Sequence, residues 1–243
     1  MDKSIPNLVI TPDSYSTQTN GFAVLYLLHG AGNDYTEWLG YASLSDYADK
    51  YNFIIVCPDG GRTSWYFDSP IDPSMKYETY VSSELVTWVD AHYRTVPNRT
   101  KRAITGLSMG GHGALYLAFR HQDVWGAAGS MAGGVDIRPF PNNWDIAKRL
   151  GSYAEYPENW EQNTVINLLH LLNGKDMTLI FDCGSSDFFC DGNRRLHQLM
   201  TERNIPHTYI ERPGGHEPNY WKVAHKYQLL FFYEFFASHP KTN

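Results

Sequence analysis

Apolar residues along this chain gather in two kinds of run, and the two alternate. Short stretches at residues 23–28 (Ala-Val-Leu-Tyr-Leu-Leu), 53–56, 102–105, 126–131, 177–181 and 207–210 read as strands. The first is apolar at every position, as a strand buried on both faces must be. Between them lie stretches with helical spacing: residues 44–51, 77–93, 113–119, 194–203 and 221–236. In the second of these, Val81, Leu85, Trp88 and Val89 share one predicted buried face. Strand and helix in alternation predict a parallel sheet with helices on both faces, an α/β fold whose site lies at the carboxyl ends of the strands.

Two segments break the alternation. Residues 62–73, with Trp65, Tyr66 and Phe67, read as a long loop. Residues 135–175 lack a clear strand and carry Trp144, Tyr153, Tyr156 and Trp160. We expect them to form a cap of short helices and loops inserted in one domain of residues 1–243, not a second domain.

The sharpest chemical signal is Gly106-Leu107-Ser108-Met109-Gly110, set between a predicted strand and a predicted helix. That order suits a nucleophile elbow, a cramped turn that pushes a serine hydroxyl out at the end of the sheet. Glycine is required two residues either side because a side chain there would strike neighbouring backbone. The turn also leaves the Met109 amide at a helix N-terminus, aimed at the reaction centre. Ser130 also follows an apolar run but lacks the second glycine, and reads as an ordinary strand-end residue.

A serine hydroxyl needs a base to take its proton, and the base needs an acid to orient it. After Ser108 the candidate acids are Asp182, Asp187 and Asp191. Asp182 continues a strand and Asp191 reads as a turn or helix-cap residue, whereas Asp187 lies in a loop just past a strand end. Of His207, His216, His225 and His239, only His216 follows a flexible turn after the last strand, Pro213-Gly214-Gly215. Ser108, Asp187 and His216 thus stand in the order Ser, acid, His, each past a different strand. A second oxyanion donor is expected from the turn after the first long strand, where Ala31 follows His29-Gly30. His29 is expected to brace that turn, not to act as a base.

Composition removes alternatives. The net charge of −6 over 243 residues argues against nucleic acid as a partner. No apolar run reaches the roughly 18 residues of a membrane span, so no membrane partner is expected. The three cysteines, Cys57, Cys183 and Cys190, are scattered; Cys183 and Cys190 could bridge a loop, but free thiols are the expectation. No Cys/His spacing suits a metal, and the chemistry calls for no cofactor. Residues 1–10 lack a basic start and an apolar stretch. That slightly favours the cytoplasm, with a trimmed leader and a periplasmic or secreted protein left open, and oligomeric state is open too. Aromatic residues, at 15%, suit a pocket lined with rings.

Taken together, Tyr26-Leu27-Leu28-His29-Gly30, Trp38, Gly106-Leu107-Ser108-Met109-Gly110-Gly111, Asp182-Cys183-Gly184 with Asp187 beyond, and Gly214-Gly215-His216-Glu217 followed by Trp221 resemble the esterase D-like "putative esterase" family. It includes S-formylglutathione hydrolases, tributyrin-type esterases, feruloyl and acetyl xylan esterases and mycolyltransferases. The resemblance spans residues 20–236. It implies an α/β-hydrolase fold with Ser108 as nucleophile, Asp187 as acid, His216 as base, and Ala31 and Met109 as oxyanion amides. It implies that Trp65 and Tyr66 lie near the acyl site, and it puts Trp38 and Trp221 in the substrate pocket.

The implied substrate is a small or carbohydrate-linked ester with a short or aromatic acyl group. A thioester hydrolase and a non-catalytic binding protein on the same fold are the rival readings, and the His29-Gly30 turn speaks against the formylglutathione branch. Relatives begin with an extra strand that is expected here to be missing or shortened near Leu8-Val9-Ile10. Pro218 stands where many relatives carry an aromatic residue.

Overall fold

A computed structural model describes residues 1–172 and 176–239. Among the described residues, seven strands form one sheet: β1 (Asn7–Ile10), β2 (Val24–Leu28), β3 (Ile54–Pro58), β4 (Arg102–Gly106), β5 (Ala127–Met131), β6 (Thr178–Gly184) and β7 (Thr208–Arg212), in the order β1-β3-β2-β4-β5-β6-β7. All neighbours run parallel except β1, which pairs antiparallel with β3. The extra strand is therefore present, shortened to four residues.

Eight helices complete the chain's regular structure among the described residues: α1 (Leu44–Tyr51), α2 (Tyr77–Thr79), α3 (Val86–His92), α4 (Met109–Arg120), α5 (Ile146–Leu150), α6 (Pro157–Gln162), α7 (Cys190–Glu202) and α8 (Pro218–Ser238). Short 3-10 turns and one π-helical segment lie between them. This is the α/β-hydrolase arrangement.

Alternation along each strand divides the core in two. Val24, Tyr26 and Leu28 of β2 face α3, α4 and α7, while Leu25 and Leu27 face α1 and α8. A strand covered on both sides needs apolar residues at successive positions, which is why β2 and β3 read as unbroken runs, whereas the edge strand β7 is partly exposed.

The predicted helix 77–93 is interrupted by a π-helical segment, Tyr80–Leu85. An extra residue in that turn rotates everything after it by about 100° relative to an α-helical wheel. Val81, Leu85 and Val89 remain buried, but Trp88 is 44% exposed and stacks on His92 instead of facing the core.

The predicted cap contains α5, α6 and a 3-10 stretch, Val165–Leu172; residues 173–175 lie outside the described residues. Its apolar side chains, including Ile137, Ile146, Trp160 and Leu169, belong to the same core cluster as α4.

Strand order turns at β2: its sequence successor β3 lies on one side and β4 on the other. The crevice at such a switch point opens at the carboxyl ends of these two strands. Leu28 is level with Gly106 there, so the His29 turn and Ser108 emerge side by side.

A buried polar cluster ties together the elements that lead into the site. On α8, Gln228 accepts a hydrogen bond from Thr105 of β4 and donates to the Ser130 carbonyl of β5 (2.8 Å) and to Asp182 Oδ2 of β6 (2.7 Å). Thr105 precedes Ser108 by three residues, Asp182 precedes Asp187 by five, and α8 begins just after His216. Burial pushes the Asp182 carboxyl up to about 6, against the opposing influence of Gln228, Tyr220 and Arg212. Gln228 is bonded through both side-chain atoms and so ties β4, β5 and β6 to α8, while Asp182 Oδ1 has no partner among the described residues.

The sign of the resulting pH effect follows from proton binding. The folded state holds a proton on Asp182 up to about pH 6, and the unfolded chain releases it near pH 4. Stability therefore falls as pH rises from about 4 to about 6, by at most about 3 kcal/mol. Asp182→Asn keeps an acceptor for Gln228 and cannot ionise. Thermal melts should show this part of the pH dependence flattened in the variant, and an unchanged slope would contradict the assignment.

Candidate active site

Ser108 follows β4 directly and caps α4 with φ 55° and ψ −118°, a conformation seldom tolerated by residues other than glycine. The surroundings impose it. A Cβ on Gly106 would be driven into the Gly110 carbonyl, and a Cβ on Gly110 into the Leu28 carbonyl. The two glycines let β4, the turn and α4 pass this close to the end of β2.

Two loops meet the serine from the other side. The Asp187 loop follows β6 and the His216 loop follows β7. They are joined by backbone hydrogen bonds from Ser185 N to Arg212 O (2.8 Å) and from Ser186 N to Gly214 O (2.9 Å). His216 Nε2 lies 2.9 Å from Ser108 Oγ, and its Nδ1 lies 2.8 Å from Asp187 Oδ2. The other Asp187 oxygen accepts the Phe189 amide at 2.8 Å. The acid's side chain is fully buried and the imidazole is 15% exposed. With Nδ1–H donated to the carboxylate, Nε2 is left as an acceptor for the serine proton. Asp191, by contrast, is exposed and paired with Arg194; His207 pairs with His197, and His225 is buried against Trp221 O.

The turn after β2 is fixed at nearly every polar group. His29 is fully buried; its Nδ1 pairs with Gly30 O (2.8 Å) and its Nε2 accepts the Gly60 amide (2.8 Å). Burial lowers its pKa and keeps the ring neutral, which suits a brace better than a base. The Tyr66 hydroxyl donates to His29 O (3.1 Å), and Gly32 N donates to Arg62 O (2.6 Å).

Glu37 accepts the Gly30 amide at 2.6 Å and is also bonded by Asn33 and Tyr41. Burial raises its pKa. Among the described residues, the Ala31 amide has no acceptor, and Met109, as the first residue of α4, offers its amide from the helix N-terminus. Met109 directly follows Ser108, and a Cβ built on Gly30 would lie 3.5 Å from Ser108 Cβ, so the turn that carries Ala31 runs past the serine.

The aromatic residues expected in the pocket need correction. Trp38 is 1% exposed on the α1/α8 side of the core, where its indole donates to Leu28 O (3.2 Å). Trp65 and Tyr66 are also fully buried, at 1% and 0% exposure, and hold the walls of the crevice from behind. Only Trp221 meets the site, with its ring edge-on to His216 at 5.2 Å.

The rings nearest the opening come from elsewhere. Phe188 is 49% exposed, lies 4.4 Å from the His216 ring and stacks on Trp144 at 5.6 Å. Phe140 packs on both Trp144 and Phe189. The position of Phe188 directly after Asp187 was visible in sequence, but nothing there placed Phe140 and Trp144 opposite it. Glu37, seven residues past Gly30, carries no motif that would have singled it out.

No group of three or more His, Cys, Asp or Glu side chains among the described residues could hold a metal ion, and no helix among them is long and apolar enough to cross a membrane. All three cysteines are buried and unbridged.

The family model described as "Putative esterase" matches residues 1–230. The esterase Rv1288 of Mycobacterium tuberculosis is 28% identical over 235 residues, covering 86% of this chain and 51% of its own length. This chain thus spans about half the length of that relative. An acetyl esterase of Caldicellulosiruptor saccharolyticus is 25% identical over 220 residues, covering 85% of this chain and 82% of its own. The solved structure of a ferulic acid esterase superposes with a TM-score of 0.83 at 28% identity, covering 97% of this chain and 94% of that one.

Glu37 supplies a test of the turn. Glu37→Gln retains an acceptor for the Gly30 amide, whereas Glu37→Ala frees the turn. Covalent labelling of Ser108 by a fluorophosphonate should slow roughly ten- to a hundredfold in the alanine variant and much less in the glutamine variant. Equal labelling rates in the two would show that the turn is held without this carboxylate. The glycine-flanked serine, the two loops that meet it and the match over nearly the whole chain lead to one conclusion: this protein belongs to the putative esterase family.

Proposed function

We propose that the chain is a serine carboxylesterase acting through an acyl-enzyme. The observation that carries this reading is the unbroken hydrogen-bonded line from Ser108 Oγ through His216 to the buried Asp187. His216 takes the Ser108 proton as the oxygen attacks the ester carbonyl. The amides of Ala31 and Met109 receive the oxyanion, and His216 then protonates the departing alcohol. Water, deprotonated by the same imidazole, attacks the acyl-enzyme and releases the acid. Asp187 holds the ring in the required tautomer and stabilises the imidazolium between the two transfers.

The substrate reading rests on the rings at the mouth. Phe188, 4.4 Å from the His216 ring, and the Trp144 and Phe140 rings packed against it offer an aromatic surface suited to a flat acyl group such as a hydroxycinnamoyl, or to a short acyl group on a carbohydrate. Residues 135–172 then serve as the cap that supplies two of these three rings. The likeness to a ferulic acid esterase and to an acetyl esterase supports the same two classes. A thioester hydrolase would use the same nucleophile, so formylglutathione belongs in the substrate panel.

Ser108→Ala should reduce hydrolysis of p-nitrophenyl acetate by at least about 10⁴-fold with the fold intact. Near wild-type turnover would remove the serine mechanism. Phe188→Ala should raise KM for methyl ferulate several-fold more than for p-nitrophenyl acetate. Equal changes for both esters would show that this ring does not select the acyl group.

A further inference from the structure

Helix α8 closes the sheet on its β4–β6 side and has two unlike faces. The inner one buries Trp221, Ala224, Gln228, Leu229, Phe232 and Phe236. On the outer one, Val223, Tyr227, Leu230 and Tyr233 are 38%, 47%, 45% and 41% exposed. These are four of the nine exposed large apolar side chains among the described residues, gathered along one stripe of one helix. A surface helix ordinarily turns a polar face outward, and a concentrated apolar stripe marks a contact. Two of the rings are already held: Tyr233 stacks on Tyr51 at 5.0 Å, and Tyr227 lies 5.3 Å from the Arg212 guanidinium. Groups ordered beforehand lose little entropy on association.

The charges on this helix identify the occupant. Lys222 and Lys226 lie in its first half and Glu234 in its second, and it has no other Lys, Arg, Asp or Glu. The outer face is also symmetric about Leu230. Lys226 and Glu234 stand four residues to either side of it, Tyr227 and Tyr233 three, and Val223 and Ala237 seven. Two copies packed antiparallel about Leu230 put each Lys226 level with Glu234 of the other copy, and each Tyr227 level with Tyr233. A parallel pairing would set lysine against lysine and align the two helix dipoles unfavourably.

We propose that the outer face of α8 is the self-complementary interface of a homodimer, with a two-fold axis at Leu230. Such an interface is isologous, the commonest form in soluble oligomers. A helix of 21 residues is about 31 Å long, and one helix face alone lies at the low end of specific interfaces. The dimer is therefore expected to be concentration-dependent, with a dissociation constant in roughly the micromolar range.

Sedimentation equilibrium on the full chain tests this directly. The wild type should double in mass with rising concentration, and Leu230→Asp should remain monomeric with unchanged thermal stability and ester hydrolysis. Lys226→Glu and Glu234→Lys should each weaken association about tenfold or more, and the double exchange should restore it to near the wild-type value. A wild type that stays monomeric throughout would overturn the proposal, leaving the stripe to another partner. So would a dimer that survives Leu230→Asp, or a double exchange no better than the single ones.

Discussion

The close approach of the turn at Ser108 to the end of β2 is the constraint on which the site depends. Gly106 and Gly110 have no side chains because Gly110 and Leu28 backbone occupy that space. This contact holds the serine at φ 55°, so the hydroxyl faces the crevice and α4 begins one residue later. The same contact brings the Ala31 turn beside the Met109 amide. A strained backbone persists only where its surroundings over-determine it. Here a parallel sheet, a helix packed tightly on it and a buried histidine beneath the neighbouring turn all do so.

Around that fixed point, the remaining groups are held in two layers. Near the surface, the loops that carry Asp187 and His216 are joined to each other by backbone hydrogen bonds. Below, Gln228 links β4, β5 and β6 to α8, the helix that follows the His216 loop. Polar groups buried in a sheet are costly unless satisfied. Their placement beneath the three elements that lead to Ser108, Asp187 and His216 gives them a positioning role. The carboxylate of Glu37 does the same for the Gly30 peptide on the opposite side of the crevice.

Local rules made much of this legible in sequence. Strands covered on both sides must be apolar throughout, and a nucleophile turn must have its glycines, so the sheet, Ser108, Asp187 and His216 could be placed by pattern and order. Contacts between distant segments could not. The family resemblance implied Trp38, Trp65 and Tyr66 as pocket residues, yet each is buried and donates a hydrogen bond to a backbone carbonyl of a distant segment. Trp88 was misplaced because a π turn changes the helical phase without a sequence signature. Phe140 and Trp144 meet Phe188 only through the packing of residues 135–172 on the rest of the chain, which no periodicity encodes.

In the proposed reaction Ser108 carries the acyl group between two half-reactions. Rapid-quench mass spectrometry during turnover of a p-nitrophenyl ester addresses it most directly. A burst of p-nitrophenol approaching one equivalent per chain is expected, with the matching acyl mass on the peptide that contains Ser108. Hydrolysis with the acyl mass on another residue, or under deacylation-limited conditions with no acylated peptide at all, would contradict it.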